Sequence, residues 1–158
     1  MTPEEKDLLL KDICARLAYN PFCKVDGLES PVKLIRVEVD SVDGILLDFD
    51  WKNKKGLPLQ VYLSEVKPYL RSISSMTEEE KEEFNTIWEE GFSKALDLQI
   101  ETDLKSIENF SFEGNYDNVR YLEIITAFNT IQWLLSKHFD LGLIEKGLAL
   151  EASEEMYK

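Results

Sequence analysis

Residues 22–49 read FCKVDGLESPVKLIRVEVDSVDGILLDF. Three runs rich in β-branched and aromatic residues, 22–25, 32–39 and 45–49, are separated there by turn residues. This spacing predicts strands, because branched and aromatic side chains fit a pleated surface while Gly, Pro, Asp and Ser interrupt it. Asp26-Gly27 and Asp43-Gly44 mark tight turns, the glycine supplying the positive φ such a reversal needs. A fourth run, 59–63, follows the polar loop Lys52-Asn53-Lys54-Lys55-Gly56. Four or five short strands over 21–66 read as an antiparallel meander. A sheet that small leaves an apolar face in water unless something covers it, which makes either a sheet under helices or an SH3-like barrel the expected closure.

Working outward, Thr2-Pro3-Glu4-Glu5 is a helix start: Thr2 caps, Pro3 suits the first helical position and Glu5 completes a capping box. Leu9, Leu10, Ile13, Cys14 and Leu17 then recur at helical spacing, predicting a helix over about 3–18 within residues 1–20 that buries the Cys14 thiol. Asn20-Pro21 ends it. The two cysteines, Cys14 and Cys23, are expected as thiols in a reducing compartment rather than as a disulfide. Downstream, residues 67–80 form a seam, Lys-Pro-Tyr-Leu-Arg-Ser-Ile-Ser-Ser-Met-Thr-Glu-Glu-Glu, that ends in a second capping box from Thr77 to Glu80. Phe84, Ile87, Trp88, Phe92, Ala95 and Leu96 make one apolar stripe, so a helix is expected over 78–96 despite Gly91, which costs about 1 kcal/mol relative to alanine. A short helix over 103–108 and a loop at 113–115 are expected beyond it.

Residues 119–125 fit either a strand or the first turns of a long helix to Lys137. From Ala127 that helix is apolar on most sides, which predicts a central position. Asp140 is placed to cap a short helix ending at Gly147, 148–151 reads as extended, and 153–158 as a mobile polar tail. The whole chain is expected to be a single α+β domain, with an N-terminal helix over 1–20, a β-meander over 21–66, a mainly helical part over 67–152 packed against it, and the tail.

Charge divides the chain at the seam. Residues 1–75 carry 11 Lys/Arg against 12 Asp/Glu, and residues 76–158 carry 7 against 19, so nearly all of the net −13 lies in the second part. Such a field attracts cationic partners and repels nucleic acid and anionic membranes. Seven glutamates fall within 78–90. Six of them, Glu78, Glu79, Glu82, Glu83, Glu89 and Glu90, are the candidate protein-binding residues, the expected partner being a basic protein. With 44% hydrophobic residues the chain should fold. No apolar run approaches the roughly 20 residues that span a bilayer, and the acidic start lacks a secretory pattern, so a cytoplasmic location is expected.

Other constellations point to chemistry less specifically. His138, the only histidine, lies at a helix end beside Asp140; this pair invites a general base with its orienting carboxylate, against a plain dipole contact and a cap. Asp48 and Asp50 fall on one face of a strand, as in sites that hold a divalent ion, or simply on its polar side. Zinc would want a fourth ligand beyond Cys14, Cys23 and His138. No cofactor is expected. Trp51 beside Lys52, Lys54 and Lys55 resembles a single-strand contact, but three lysines on a chain of −13 favour a solvated loop. In a barrel, Trp51 and Tyr62 would be placed to grip a peptide.

Two stretches, residues 66–80 and Trp133 through His138-Phe139-Asp140 to Ala152, resemble a group of small acidic proteins encoded by gut Bacteroidales and their phages or mobile elements. Ser72 stands where a second proline is expected, and Ser153-Glu154-Glu155 where a Pro-Glu-Gly turn is expected. The resemblance implies a bacterial or phage origin and carries no activity with it. Taken together, the expected function is that of a non-enzymatic accessory protein that binds another protein through its acidic helical surface. The alternatives are a DNA mimic that inhibits a nucleic-acid enzyme, and a small enzyme with a site at His138 or at Asp48 and Asp50.

Overall fold

A computed structural model describes residues 1–40, 44–52, 58–91, 116–153 and 155–157, with Asp40, Lys52, Pro58 and 116–123 described as backbone alone. The fold is α+β, with an N-terminal helix, a six-stranded mostly antiparallel sheet and later helices. It divides into two compact units, Met1–Ser75 with Leu135–Lys158, and Met76–Leu134.

In the first unit, helix α1 (Pro3–Arg16) starts on the expected capping box: the Glu5 amide donates to Thr2 Oγ1 at 3.2 Å and the Thr2 amide to Glu5 Oε2 at 2.7 Å. Its buried face is Leu9, Ile13 and Arg16, and Cys14 is exposed, contrary to expectation. At about 100° per residue, Cys14 sits roughly 140° round the helix from Leu9, whereas Arg16 falls beside it. Leu17–Tyr19 tightens into a 3-10 turn, and Asn20 turns left-handed before Pro21.

Strands β1 (Phe22–Val25), β2 (Val32–Asp40), β3 (Gly44–Lys52) and β4 (Pro58–Tyr62) form the expected meander. Gly27 takes φ 82°, as its Asp-Gly turn requires, and Gly44, at the start of β3, takes φ 89°; Asp43 lies outside the described residues. The start of the seam is itself a strand. β5 (Val66–Leu70) pairs antiparallel with β1, placing Cys23 opposite Pro68, and β6 (Leu150–Glu151) pairs parallel with β5 at Tyr69 and Leu70. The resulting order β4-β3-β2-β1-β5-β6 is an open ladder among the described residues rather than a barrel. One face of it, with Leu9 and Ile13 of α1, makes the core: Cys23, Val25, Val32, Leu34, Leu47, Phe49, Leu63, Val66 and Leu70, joined by Leu143, Leu148 and Ala149. Each such aliphatic or aromatic side chain contributes about 1.5–3 kcal/mol on burial.

The chain after residue 136 returns to the outer edge of β5. The Arg71 amide donates to the His138 carbonyl at 2.8 Å, the Asp140 amide to the Arg71 carbonyl at 2.7 Å, and the Ala152 amide to the Leu70 carbonyl at 2.8 Å. Asp140 Oδ1 accepts from the Leu143 and Ile144 amides at 2.8 and 3.2 Å, the expected cap, but the residues it caps run through turns rather than a helix. Of the segment expected to be a mobile tail, Tyr157 is tied to the sheet. Tyr157 donates to the Tyr69 carbonyl at 2.7 Å, accepts from the Phe22 amide at 3.0 Å, and stacks on His138 at 3.9 Å between ring centroids. A phenol that bonds two strands at once holds Tyr157 against the sheet, where its polar surroundings in sequence suggested solvent.

The second unit contains helix α2, described over 78–91, and most of helix α3 (Tyr116–Ser136). Residues 119–125 are therefore helical. The two helices run antiparallel: the Phe84 and Trp133 rings lie 5.7 Å apart, and a β-carbon placed on Gly91 would overlap the Thr126 side chain. Glycine at 91 thus trades helix propensity for close approach. The buried face of α3 within this unit carries Thr126, Thr130 and Trp133, while Ile124, Phe128 and Ile131 are exposed, so α3 is not the central apolar helix expected. Thr130 Oγ1 donates to the Thr126 carbonyl at 2.8 Å, satisfying a buried hydroxyl. The expected stripe residues Phe92, Ala95 and Leu96, the helix at 103–108 and the loop at 113–115 lie outside the described residues.

Candidate functional site

Helix α2 begins as its sequence dictates. The Glu80 amide donates to Thr77 Oγ1 at 3.2 Å, the Thr77 amide to Glu80 Oε2 at 3.0 Å, and the Lys81 amide to the Thr77 carbonyl at 3.0 Å. The box spends Glu80 on the backbone and leaves the other glutamates to the surface. Glu78, Glu79, Glu82, Glu83, Glu89 and Glu90 are all exposed. At about 100° per residue these six carboxylates fall within a sector of roughly 140°. Phe84, Ile87 and Gly91 occupy the opposite side, where Phe84 and Gly91 meet α3. Lys81 lies 2.6 Å from Glu78, an exposed pair of little energetic weight. Hydrogen bonds to the Glu79 backbone amide and to Thr77 hold the Glu79 carboxyl below its ordinary range, so this carboxylate stays ionised into mild acid. The arrangement can present dense negative charge on one rigid helix, anchored from behind.

The remaining candidates are placed otherwise. His138 and Asp140 do not form a dyad. His138 is 7% exposed, its Nδ1 has no hydrogen-bond partner among the described residues, and its pKa is lowered to about 4 by burial and by the Arg16 and Arg71 cations. It is a neutral, covered imidazole with left-handed backbone (φ 60°), neither a cation on the helix dipole nor a base poised near neutrality. Beneath it, Arg16 is fully buried. Its guanidinium takes both oxygens of Asp12, at 2.8 and 2.9 Å, and donates from Nη2 to the Phe139 carbonyl at 2.8 Å. Nothing but the helical position of Arg16 signalled this in the sequence.

Asp48 and Asp50 are likewise separated in role. Asp48 is buried, accepts from Gln60 Nε2 at 3.0 Å and lies 3.7 Å from Arg36, whereas Asp50 is exposed beside an irregularity in the β3–β4 register. Among the described residues no cluster of His, Cys, Asp and Glu is arranged to hold a metal ion. Cys14 and Cys23 are free thiols, and burial with the nearby Asp12 charge pushes Cys23 up to about 12. Trp51 is partly exposed and lines a groove with Phe22, Leu28 and Pro31; Tyr62 is exposed outside it, so the two aromatics do not form one grip. Lys54 and Lys55 of the basic loop lie outside the described residues. No helix among the described residues is long and apolar enough to cross a membrane. Comparison with protein-family models, with curated proteins and with solved structures gives no match to this chain.

Proposed function

We propose that this protein is a non-enzymatic accessory protein that binds a basic partner protein through the acidic face of α2. The observation that supports the reading is the confinement of six exposed carboxylates to one side of a helix whose other side is anchored by Phe84 and Gly91. Like-charged neighbours four residues apart, Glu78 with Glu82 and Glu79 with Glu83, each cost a few tenths of a kcal/mol in an isolated helix, and a cationic partner would relieve that repulsion. The resemblance to small acidic proteins of gut Bacteroidales and their phages fits an accessory role in such a cell, in its cytoplasm. The test is affinity capture at low salt with the wild type and with Glu82→Lys, Glu83→Lys, Glu89→Lys and Glu90→Lys combined. A partner lost on charge reversal, and lost from the wild type above about 0.5 M salt, is expected. A salt-sensitive partner that the reversed variant retains overturns the reading. Competition between that partner and duplex DNA would turn it toward a DNA mimic.

A further inference from the structure

On the first unit, the segment after β5, the turn after residue 139 and the edge of β6 enclose a groove of about 560 Å³. Two of the molecule's exposed large apolar side chains, Ile73 (53% exposed) and Leu141 (47%), sit in its wall with Ile144. Asp140, Glu145 and Glu151 supply carboxylates from three points around it, and none of its lining residues is Lys, Arg or His. The walls are held by backbone bonds: Arg71 to His138 and Asp140, Ala152 to Leu70, and Leu148 to Leu143 at 3.0 Å. The shape therefore exists before any ligand arrives, which lowers the cost of binding.

We infer that this groove is a docking site for a short basic amphipathic peptide segment of a partner protein, one that alternates apolar side chains with lysine or arginine. Charge complementarity names the cations, since Glu145 and Glu151, with Asp140 whose Oδ1 already accepts from two amides, line a groove that holds no Lys, Arg or His, and positive charge from outside matches them. The apolar wall names their neighbours, since Ile73, Leu141 and Ile144 gain only if an apolar side chain covers them. The separation of the carboxylates between the turn after residue 139 and β6 favours a ligand with several spaced cations over a single amine. The volume lies within the range of roughly 300–1,000 Å³ typical of ligand sites and suits a few residues of extended chain. The site is independent of the α2 face and stands or falls without it.

The experiment is fluorescence anisotropy on the full chain with a labelled heptapeptide of alternating leucine and lysine. Saturable binding is expected, at least about tenfold weaker for Glu145→Lys with Glu151→Lys and for Ile73→Ser with Leu141→Ser. All four positions are at the surface, and a thermal melt of each variant checks that it is folded. Glu82→Lys with Glu89→Lys on α2 changes the net charge by the same amount and should weaken binding less than about twofold. Equal weakening by the α2 pair would reduce the effect to the overall field and overturn the site. An unchanged affinity in the serine pair, or full displacement of the peptide by spermidine at equal charge concentration, would overturn it as well.

Discussion

Arg16 and the glutamates of α2 are charged helix residues treated in opposite ways. Arg16 is fully buried, with Asp12 on two of its nitrogens and a carbonyl on a third contact. The α2 glutamates stand on an exposed face. A charge taken from water carries a desolvation penalty of several kcal/mol that its partners must offset; Asp12 and the Phe139 carbonyl do so at Nε and Nη2 of Arg16, while Nη1 is buried without a hydrogen-bond partner among the described residues. One left in water contributes little to stability and remains available to a partner. Burial makes a charge part of the architecture, and exposure makes it part of the surface potential.

The largest effect should come from breaking the buried pair. Arg16→Met is expected to destabilise by about 3–5 kcal/mol in urea unfolding at pH 7, because Asp12 and the Phe139 carbonyl lose their donor inside the protein. Adding Asp12→Leu should restore most of the loss; if it does not, the pair is not the reason for the cost.

Acid probes the same node. The unfolded chain protonates His138 near its ordinary 6.5, the folded chain only near about 4. Between those values the unfolded state binds more protons, so this contribution is intact above about pH 6.5 and is lost as pH falls, about 3 kcal/mol in all. His138→Asn tolerates the left-handed backbone and should flatten that part of the profile. A wild-type minus variant difference with no slope between pH 6.5 and 4 would contradict the buried neutral imidazole.

Tyr157→Phe comes next. Its hydroxyl bonds Tyr69 and Phe22, so its loss should cost about 1–3 kcal/mol and speed exchange of the Phe22 amide. A residue as loosely held as an exposed α2 side chain would leave both unchanged.

Legibility in the sequence follows the same division. β1 to β4 were readable because alternation and Asp-Gly turns are local signals, and the α2 carboxylates were readable because helical periodicity alone sends them outward. β5 was hidden by Pro68, which has no N–H to give a ladder and argues against a strand within a sheet. β6 has two residues, too few for any pattern. Arg16 was hidden because residue type outweighed its place on the wheel, and Tyr157 because its partners at residues 22, 69 and 138 are distant in the chain. The groove around Ile73 and Glu151 is invisible in the same sense, being made by a return that no local signal announces. In α3 the buried residues include Thr126, which meets Gly91, and Thr130 beside the apolar Trp133, so counting apolar residues alone found only part of the buried face.

The smallest effect carries the sharpest statement about the exposed face, because its sign should change along one helix. Glu82→Gln removes repulsion from Glu78 one turn before it, and should stabilise by about 0.2–0.5 kcal/mol at low salt. Glu79→Gln acts at the positive end of the helix dipole and removes a carboxylate already bonded to its own amide and to Thr77, so it should destabilise. The Glu82→Gln difference should vanish near about 1 M salt, where screening acts within about 3 Å, while the share of the Glu79→Gln difference that comes from its hydrogen bonds should remain. Thermal melts of the two variants at both salt concentrations make the comparison directly. If Glu82→Gln destabilises instead, that carboxylate serves the fold, and the case for a face held ready for a basic partner loses its energetic support. If it stabilises, the chain keeps a charge that folding would be better without, the condition expected of a residue retained for an encounter.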